Sequence, residues 1–154
     1  MVNSYCKANP ECTEESPVEE ILDKFFSYLG NSCEALEGPE ELSHITFALK
    51  AIGNAGRLPT DEGQRSMETL QRCFSEKSNP TEVRLAALDA FRRMPCDMYD
   101  HQAILNAYST FNENTEVRIK AYLIAMQCAD RHLIDTVKDV LYTDAVNQGT
   151  FCHI

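Results

Sequence analysis

Two eight-residue segments recur 34 residues apart, and this internal repeat constrains the fold more than any other feature of the chain. TEVRLAAL at residues 81–88 matches TEVRIKAY at residues 115–122. A looser copy, ITFALKAI at residues 45–52, aligns with residues 84–91 at an offset of 39. A period of this length with two helices per unit is typical of an α-solenoid, in which successive helical hairpins stack on one another. The alternative is a closed helical bundle whose helices resemble one another by chance.

Apolar residues follow a helical period along almost the whole chain, and alternating strand patterns are absent. Ser16, Pro17 and Glu19 supply a strong start signal for the first helix. The pattern predicts helices near residues 17–30, 39–54, 61–75, 80–94, 99–112, 115–128 and 131–142. We therefore predict an all-α fold, a HEAT-like solenoid of helical hairpins that forms one domain over residues 1–154.

The second helix of each hairpin carries apolar residues on two faces, which is typical of a helix covered on both sides. In the 115–128 helix one stripe is Val117, Ala121, Ile124, Ala125 and Cys128, and the other is Ile119, Tyr122, Leu123 and Met126. The helix before it has a single stripe, formed by Ile104, Ala107, Tyr108 and Phe111. We expect Leu88 and Leu123 to be buried between layers, so that an aspartate at either position unfolds the repeat.

Acidic residues outnumber basic residues by 24 to 14 in the 154 residues, giving a net charge of −10. This balance argues against nucleic acid as a partner, because phosphate binding needs a basic surface. The excess lies in residues 1–41, which hold ten acidic and two basic residues. A solvated acidic face is the simpler interpretation, and a basic partner docking there is the alternative.

No apolar run approaches the ~20 residues of a membrane span, and the first residues lack a signal-peptide pattern.

Motifs for catalysis, cofactors and metals are absent from the sequence. None of the histidines has a partner at metal-ligand spacing: His44, His101, His132 and His153. Asp97, Asp100 and His101 cluster at a helix start, where acidic side chains favour the helix dipole. We interpret them as helix-terminal acids beside a surface histidine, not as a metal site. Gly53 and Gly56 could cradle phosphate, but a left-handed helix cap before Pro59 fits them better. The predictions are therefore no enzyme, no cofactor and no metal.

Seven cysteines are present, at positions Cys6, Cys12, Cys33, Cys73, Cys96, Cys128 and Cys152. Cys6 and Cys12 flank an Asn-Pro turn, which makes a local disulfide sterically easy. Cys96 and Cys128 lie near the ends of equivalent helices in successive repeats, where stacking brings side chains within bonding range. For each pair the alternative is two free thiols, and the odd count leaves at least one thiol without a partner in the chain.

Three segments resemble, in order and spacing, motifs in the helical domain of the large lipid transfer proteins, the family of apolipophorins and vitellogenins. They are ALKAIGNAG at residues 48–56, EVRLAALDAFRR at residues 82–93 and TEVRIKAYL at residues 115–123. VLYTDAVNQ at residues 140–148 looks most like insect apolipophorin. The resemblance covers most of the chain and is firmest between residues 45 and 130.

The resemblance implies a right-handed superhelix of paired helices in a secreted lipid-carrying particle. It also implies the Cys6–Cys12 and Cys96–Cys128 disulfides, since similar pairs occur in the family. Family members are far longer and line their lipid cavity with β-sheets, so we expect a fragment or a short relative. Its expected role is to brace the cavity, with lipid as partner through the parent protein and with direct lipid contact left open. The alternative is a solenoid scaffold for protein partners.

Overall fold

The computed structural model describes residues 8, 16–34, 38–56 and 63–143. These residues form α-helices with no strand, which confirms the all-α prediction. The helices are α1 (Ser16–Leu29), α2 (Pro39–Ala55), α3 (Gly63–Ser75), α4 (Thr81–Ala90), α5 (Gln102–Ser109), α6 (Thr115–Ala125) and α7 (Arg131–Thr143). In the part of the chain that is described, no helix is long and apolar enough to span a bilayer.

The two matching segments have the same local structure. Helices α4 and α6 both begin at the threonine of the repeat, and each ends in a 3₁₀ turn, Phe91–Arg93 and Met126–Cys128 respectively. Asn114 caps α6, because its side-chain oxygen accepts hydrogen bonds from the backbone N–H groups of residues 116 and 117. The repeat read from the sequence is therefore a repeat of structure.

The chain divides into two compact units, Met1–Tyr99 (unit 1) and Asp100–Ile154 (unit 2). In unit 1, α1 packs on α2 and α3 packs on α4, forming two helical hairpins. The second helices of these hairpins, α2 and α4, also pack on each other, and α1 contacts α3. In unit 2, α5 packs on both α6 and α7. The hairpin arrangement agrees with the predicted fold class, whereas the superhelical handedness and the single domain stay predictions.

Helix α4 lies at the centre of the unit 1 core. Residues on both of its faces are buried, as the two-stripe pattern predicts: Val83, Ala86, Ala87, Leu88 and Ala90. Phe91, just after α4, packs edge-on against Phe74 and Tyr99, with ring centroids 5.9 Å and 5.0 Å away. Edge-to-face aromatic pairs add stabilisation beyond the buried area alone. Burial also raises the pKa of the Tyr99 hydroxyl above its usual value.

Two glycines of the 48–56 segment have separate roles. Gly56 adopts a left-handed backbone, with φ of 69°, and its N–H donates to the Ile52 carbonyl, which confirms the predicted helix cap. Gly53 lies where α2 crosses α4, and a Cβ built on it would meet the Ala90 Cα at 2.8 Å. The Arg92 guanidinium donates to the Asn54 side chain at the same crossing, over 2.7 Å. The close approach of α2 and α4 therefore requires glycine at position 53.

We expect Gly53→Ala to destabilise unit 1 by about 1–2 kcal/mol. Overpacking against a backbone atom costs about 1–3 kcal/mol, and the better helix propensity of alanine returns up to about 1 kcal/mol. Lys50→Ala, on an exposed position of the same helix, should change the free energy of unfolding by less than about 0.5 kcal/mol. Urea denaturation of both variants provides the comparison. A Gly53→Ala variant as stable as the wild type would show that the helix crossing tolerates a methyl group.

Two predictions about buried apolar stripes are wrong in unit 2. Helix α5 ends at Ser109, because the Thr110 backbone turns extended, so Phe111 lies beyond the helix and is exposed. In α6 the first stripe is largely buried, but the second includes Leu123 with 44% of its surface exposed and Met126 with 42%. The apolar period alone does not show which of two faces a neighbour covers. The expectation that Leu123→Asp unfolds the repeat is therefore withdrawn.

Leu88 and Leu123 provide a matched test of these burial assignments. We expect Leu88→Asp to prevent unit 1 from folding, because a carboxylate would replace a side chain that is fully buried. Leu123→Asp should cost less than about 1 kcal/mol, since water reaches that position. Circular dichroism thermal melts separate the two variants. Equal melting temperatures would contradict the assignment.

Candidate functional site

An open apolar groove of about 510 Å³ lies between α1 and α2 in unit 1. Helix α1 contributes residues three and four positions apart, and α2 contributes one face of its last two and a half turns. The lining residues are Val18, Ile21, Leu22, Phe25, Phe47, Lys50, Ala51, Asn54 and Ala55. Because α2 turns Ile45, Leu49 and Ile52 toward the core, its opposite face is left to line the groove. Small residues at positions 51 and 55 leave the space that larger side chains would fill.

The groove presents apolar surface to solvent. Phe47 has 64% of its surface exposed and Ile21 has 46%, whereas Leu22 forms a buried floor. The rings of Phe47 and Phe25 meet edge-on at 6.0 Å and form one wall. Among the described residues that line the groove, Lys50 alone is charged. Exposed apolar surface gathered in one concavity is typical of a binding site for an apolar ligand.

Two buried arginines close the helical hairpins in the same way. The Arg84 Nε donates to the Phe74 carbonyl at 2.7 Å, and the Arg118 Nε donates to the Tyr108 carbonyl at 2.9 Å. Both arginines follow the Thr-Glu-Val of the repeat, and both acceptors lie ten residues earlier, in the last turn of the preceding helix. The last carbonyls of a helix have no partner within it, and the helix dipole favours a cation there. In the α3–α4 and α5–α6 hairpins the arginine therefore caps the first helix from the second.

We expect Arg118→Met to destabilise unit 2 by about 2–3 kcal/mol. Methionine keeps the apolar stem but leaves the Tyr108 carbonyl without this charged donor, and a hydrogen bond to a charged group contributes about 1.5–3 kcal/mol. Arg131→Met, at an exposed position of α7, is the control and should leave stability within about 0.5 kcal/mol of the wild type. Chemical denaturation measures both. Equal effects of the two substitutions would refute the capping role.

A disulfide that the sequence analysis did not predict joins Cys33 to Cys73. It links the loop after α1 to the last turns of α3, and both cysteines are fully buried. Cys33 has a left-handed backbone with φ of 61°, which is uncommon outside glycine. The buried Asn79 amide nitrogen donates to the Ser32 and Cys73 carbonyls, at 2.6 and 3.0 Å, and so ties the same two segments. With a sequence separation of 40 between the cysteines, chain entropy alone assigns the disulfide about 4 kcal/mol of stabilisation.

The predicted cysteine pairs have separate outcomes. Cys96 and Cys128 are each disulfide-bonded, so the free-thiol alternative is wrong for both. Their bond to each other stays a prediction. Cys6 and Cys12 lie outside the described residues, and their disulfide stays a prediction as well.

Asp100, one member of the acidic cluster before α5, bonds the N-terminal end of that helix. The Asp100 carboxylate accepts a hydrogen bond from the Gln102 backbone N–H at 2.9 Å, as an acid at a helix N-terminus does. Among the described residues, no group of three or more histidine, cysteine, aspartate or glutamate side chains is placed to hold a metal ion. His44 lies against the ring of Tyr28 on the exposed side of α1 and α2, with centroids 5.5 Å apart.

The sequence contained partial signals for the features that were missed. Val18, Ile21, Leu22 and Phe25 form the predicted stripe of α1, but the stripe does not show that part of it stays open. The arginine of Thr-Glu-Val-Arg recurs directly after the buried valine of the repeat, and its hydrogen bond to the preceding helix is the reason for it. Cys33 and Cys73 had no spacing signal, because their contact arises only when α1 and α3 pack.

These features define the class of the protein: an all-α module of helical hairpins, closed by buried arginines and disulfides, with an apolar groove. A family model described as the vitellogenin TPR domain matches residues 1–149. The chain belongs to this family, and with it to the large lipid transfer proteins, as the motif resemblance predicted.

Three relatives illustrate the extent of the similarity. The chain is 30% identical to apolipophorins of Locusta migratoria over 98% of its length, and 31% identical to vitellogenin of Penaeus merguiensis over 89%. Human apolipoprotein B-100 is 23% identical over 91%. The aligned region spans 4%, 5% and 3% of these relatives, so the chain corresponds to a small part of each. No solved structure matches the chain.

Proposed function

We propose that the chain is a helical module of a secreted lipid-transport protein, that it braces the lipid-carrying part of that protein, and that the α1–α2 groove contacts lipid hydrocarbon directly. Family membership supports the first part, since apolipophorins and apolipoproteins are named for the lipid they carry. The disulfides support secretion, because such bonds persist in oxidising compartments. The proposed role is binding and support, without catalysis.

The groove is the single observation that carries direct lipid contact. Its volume of about 510 Å³ lies within the range of roughly 300–1,000 Å³ found for small-molecule sites. Each methylene group moved from water into such a site gains about 0.8 kcal/mol, so a short length of acyl chain suffices for measurable binding. Lys50 at the lining offers a cation to an acidic or phosphorylated headgroup, while the hydrocarbon lies against Phe25, Phe47 and Ile21.

We expect Phe47→Glu to weaken binding of a fluorescent acyl-chain probe at least tenfold. The carboxylate would stand in the apolar wall, where burying a charge without a partner is costly. Phe47 is already exposed, so the fold should keep its melting temperature within a few degrees.

Phe111→Glu is the matched control, because it places the same change on an exposed phenylalanine outside the groove. Its affinity for the probe should equal that of the wild type. Equal weakening by both substitutions, or no saturable binding by the wild-type chain, would contradict direct lipid contact through the groove.

A protein-binding scaffold is the second candidate, and one observation favours it. Leu123, on α6, and Met126, in the 3₁₀ turn after it, expose apolar surface. A partner helix would bury this surface by packing its own apolar face there. Purification of the chain with a bound polypeptide, in place of bound lipid, would favour this alternative.

A further inference from the structure

A second cavity in unit 1, of about 280 Å³, is polar where the groove is apolar. Helix α3 lines it with residues spaced three and four positions apart, Arg65, Ser66, Thr69 and Arg72. The end of α1 and the turn after it supply the opposite side, including Phe26 and Asn31. The lining thus combines two guanidinium groups, two hydroxyls and one amide around a small space.

Two residues of the lining are largely buried and carry hydroxyl groups that a ligand in the cavity could bond. Ser66 is 5% exposed and Thr69 is 8% exposed, and both line the cavity. No hydrogen bond joins either hydroxyl to another residue in the described part of the chain. Neither hydroxyl oxygen is among the polar atoms that the described part of the chain buries without a partner, so water reaches both, and a ligand in the cavity could replace that water.

The charges of α3 show what kind of acceptor fits. Arg72 contacts the Glu68 carboxylate at 3.6 Å, with 58% and 49% of the two side chains exposed. An exposed ion pair of this kind contributes at most about 1 kcal/mol, so Arg72 can turn to a stronger anion at little cost. Arginine prefers the oxygens of phosphate, to which it donates in a planar fork. Hydroxyl and amide donors can then reach the remaining oxygens of a tetrahedral anion.

Two further lining residues favour a cation beside that anion. Glu68 keeps a carboxylate at the cavity, and Phe26 presents an aromatic ring to it. A carboxylate and an aromatic face together attract amines and quaternary ammonium groups. The cavity therefore matches a group that carries both charges close together.

We propose that this cavity binds a phosphate ester, with its phosphate on Arg65, Arg72 and the Ser66 and Thr69 hydroxyls. The cationic end of a zwitterionic ester, such as phosphocholine, would lie toward Glu68 and Phe26. This site is separate from the apolar groove, and its ligand needs no hydrocarbon. Its failure would therefore leave the groove proposal standing, and the reverse holds as well.

The test is a titration of the full 154-residue chain with inorganic phosphate and with phosphocholine, followed by backbone amide chemical shifts. We expect saturable shifts confined to residues 26–31 and 65–72. Arg72→Gln should weaken binding about tenfold, whereas Arg131→Gln removes the same charge from unit 2 and should leave the affinity unchanged. If phosphocholine binds more tightly than inorganic phosphate, the phosphate group that the cavity takes belongs to a headgroup. If the two bind equally, the ligand is a simple phosphate. Both results support the site.

Thr69→Val separates a ligand-binding role from a structural one. It removes the hydroxyl with almost no change of shape, so phosphate binding should weaken severalfold while the melting temperature stays equal or rises. A lower melting temperature with unchanged affinity would show that the hydroxyl serves the fold, and would overturn the proposal. Absence of saturable shifts in the wild type, or equal weakening by Arg72→Gln and Arg131→Gln, would overturn it too.

Discussion

The C-terminal end of α3 is the point on which the arrangement of unit 1 depends. Three bonds meet in two consecutive residues: Cys73 forms the disulfide to Cys33, its carbonyl accepts from Asn79, and the Phe74 carbonyl accepts from the buried Arg84. Together they fix the loop after α1, the end of α3 and the start of α4 relative to one another. Unit 2 repeats the arginine bond, from Arg118 to Tyr108. A buried guanidinium is costly to desolvate, so its hydrogen bond to a helix end is what makes the burial tolerable.

Both cavities of unit 1 follow from this arrangement, because α1 is held between two partners. Its residues at 18, 21, 22 and 25 face α2 and line the apolar groove, whereas Phe26 and the turn after Leu29 face α3 and line the polar cavity. Gly53 allows α2 to approach α4 closely. One face of α2 therefore lies in the core, and the opposite face lines the groove. The proposed lipid contact uses the apolar recess beside α1, and the proposed phosphate site uses the polar one.

Sequence reasoning predicted the features that local chemistry decides. The helix positions, the left-handed Gly56 cap and the two matching helices all follow from periodicity and capping residues within a short stretch. Features that depend on packing between helices could not be predicted from the sequence. Leu123 and Phe111 have the right period for a core, but exposure depends on whether another element covers them. The Cys33–Cys73 bond depends on how α1 and α3 pack, and the open groove depends on which face of α2 no other element covers. The role of Arg84 depends on where the preceding helix ends.

Native mass spectrometry of the purified chain, combined with lipid extraction from the same sample, tests whether the module contacts lipid directly. Direct contact predicts a mass increment of one lipid per chain, which disappears after delipidation and returns when lipid is added back. A chain that stays lipid-free after exposure to lipid, while its circular dichroism shows the helical fold intact, would contradict it. The module would then brace its parent protein without touching the cargo.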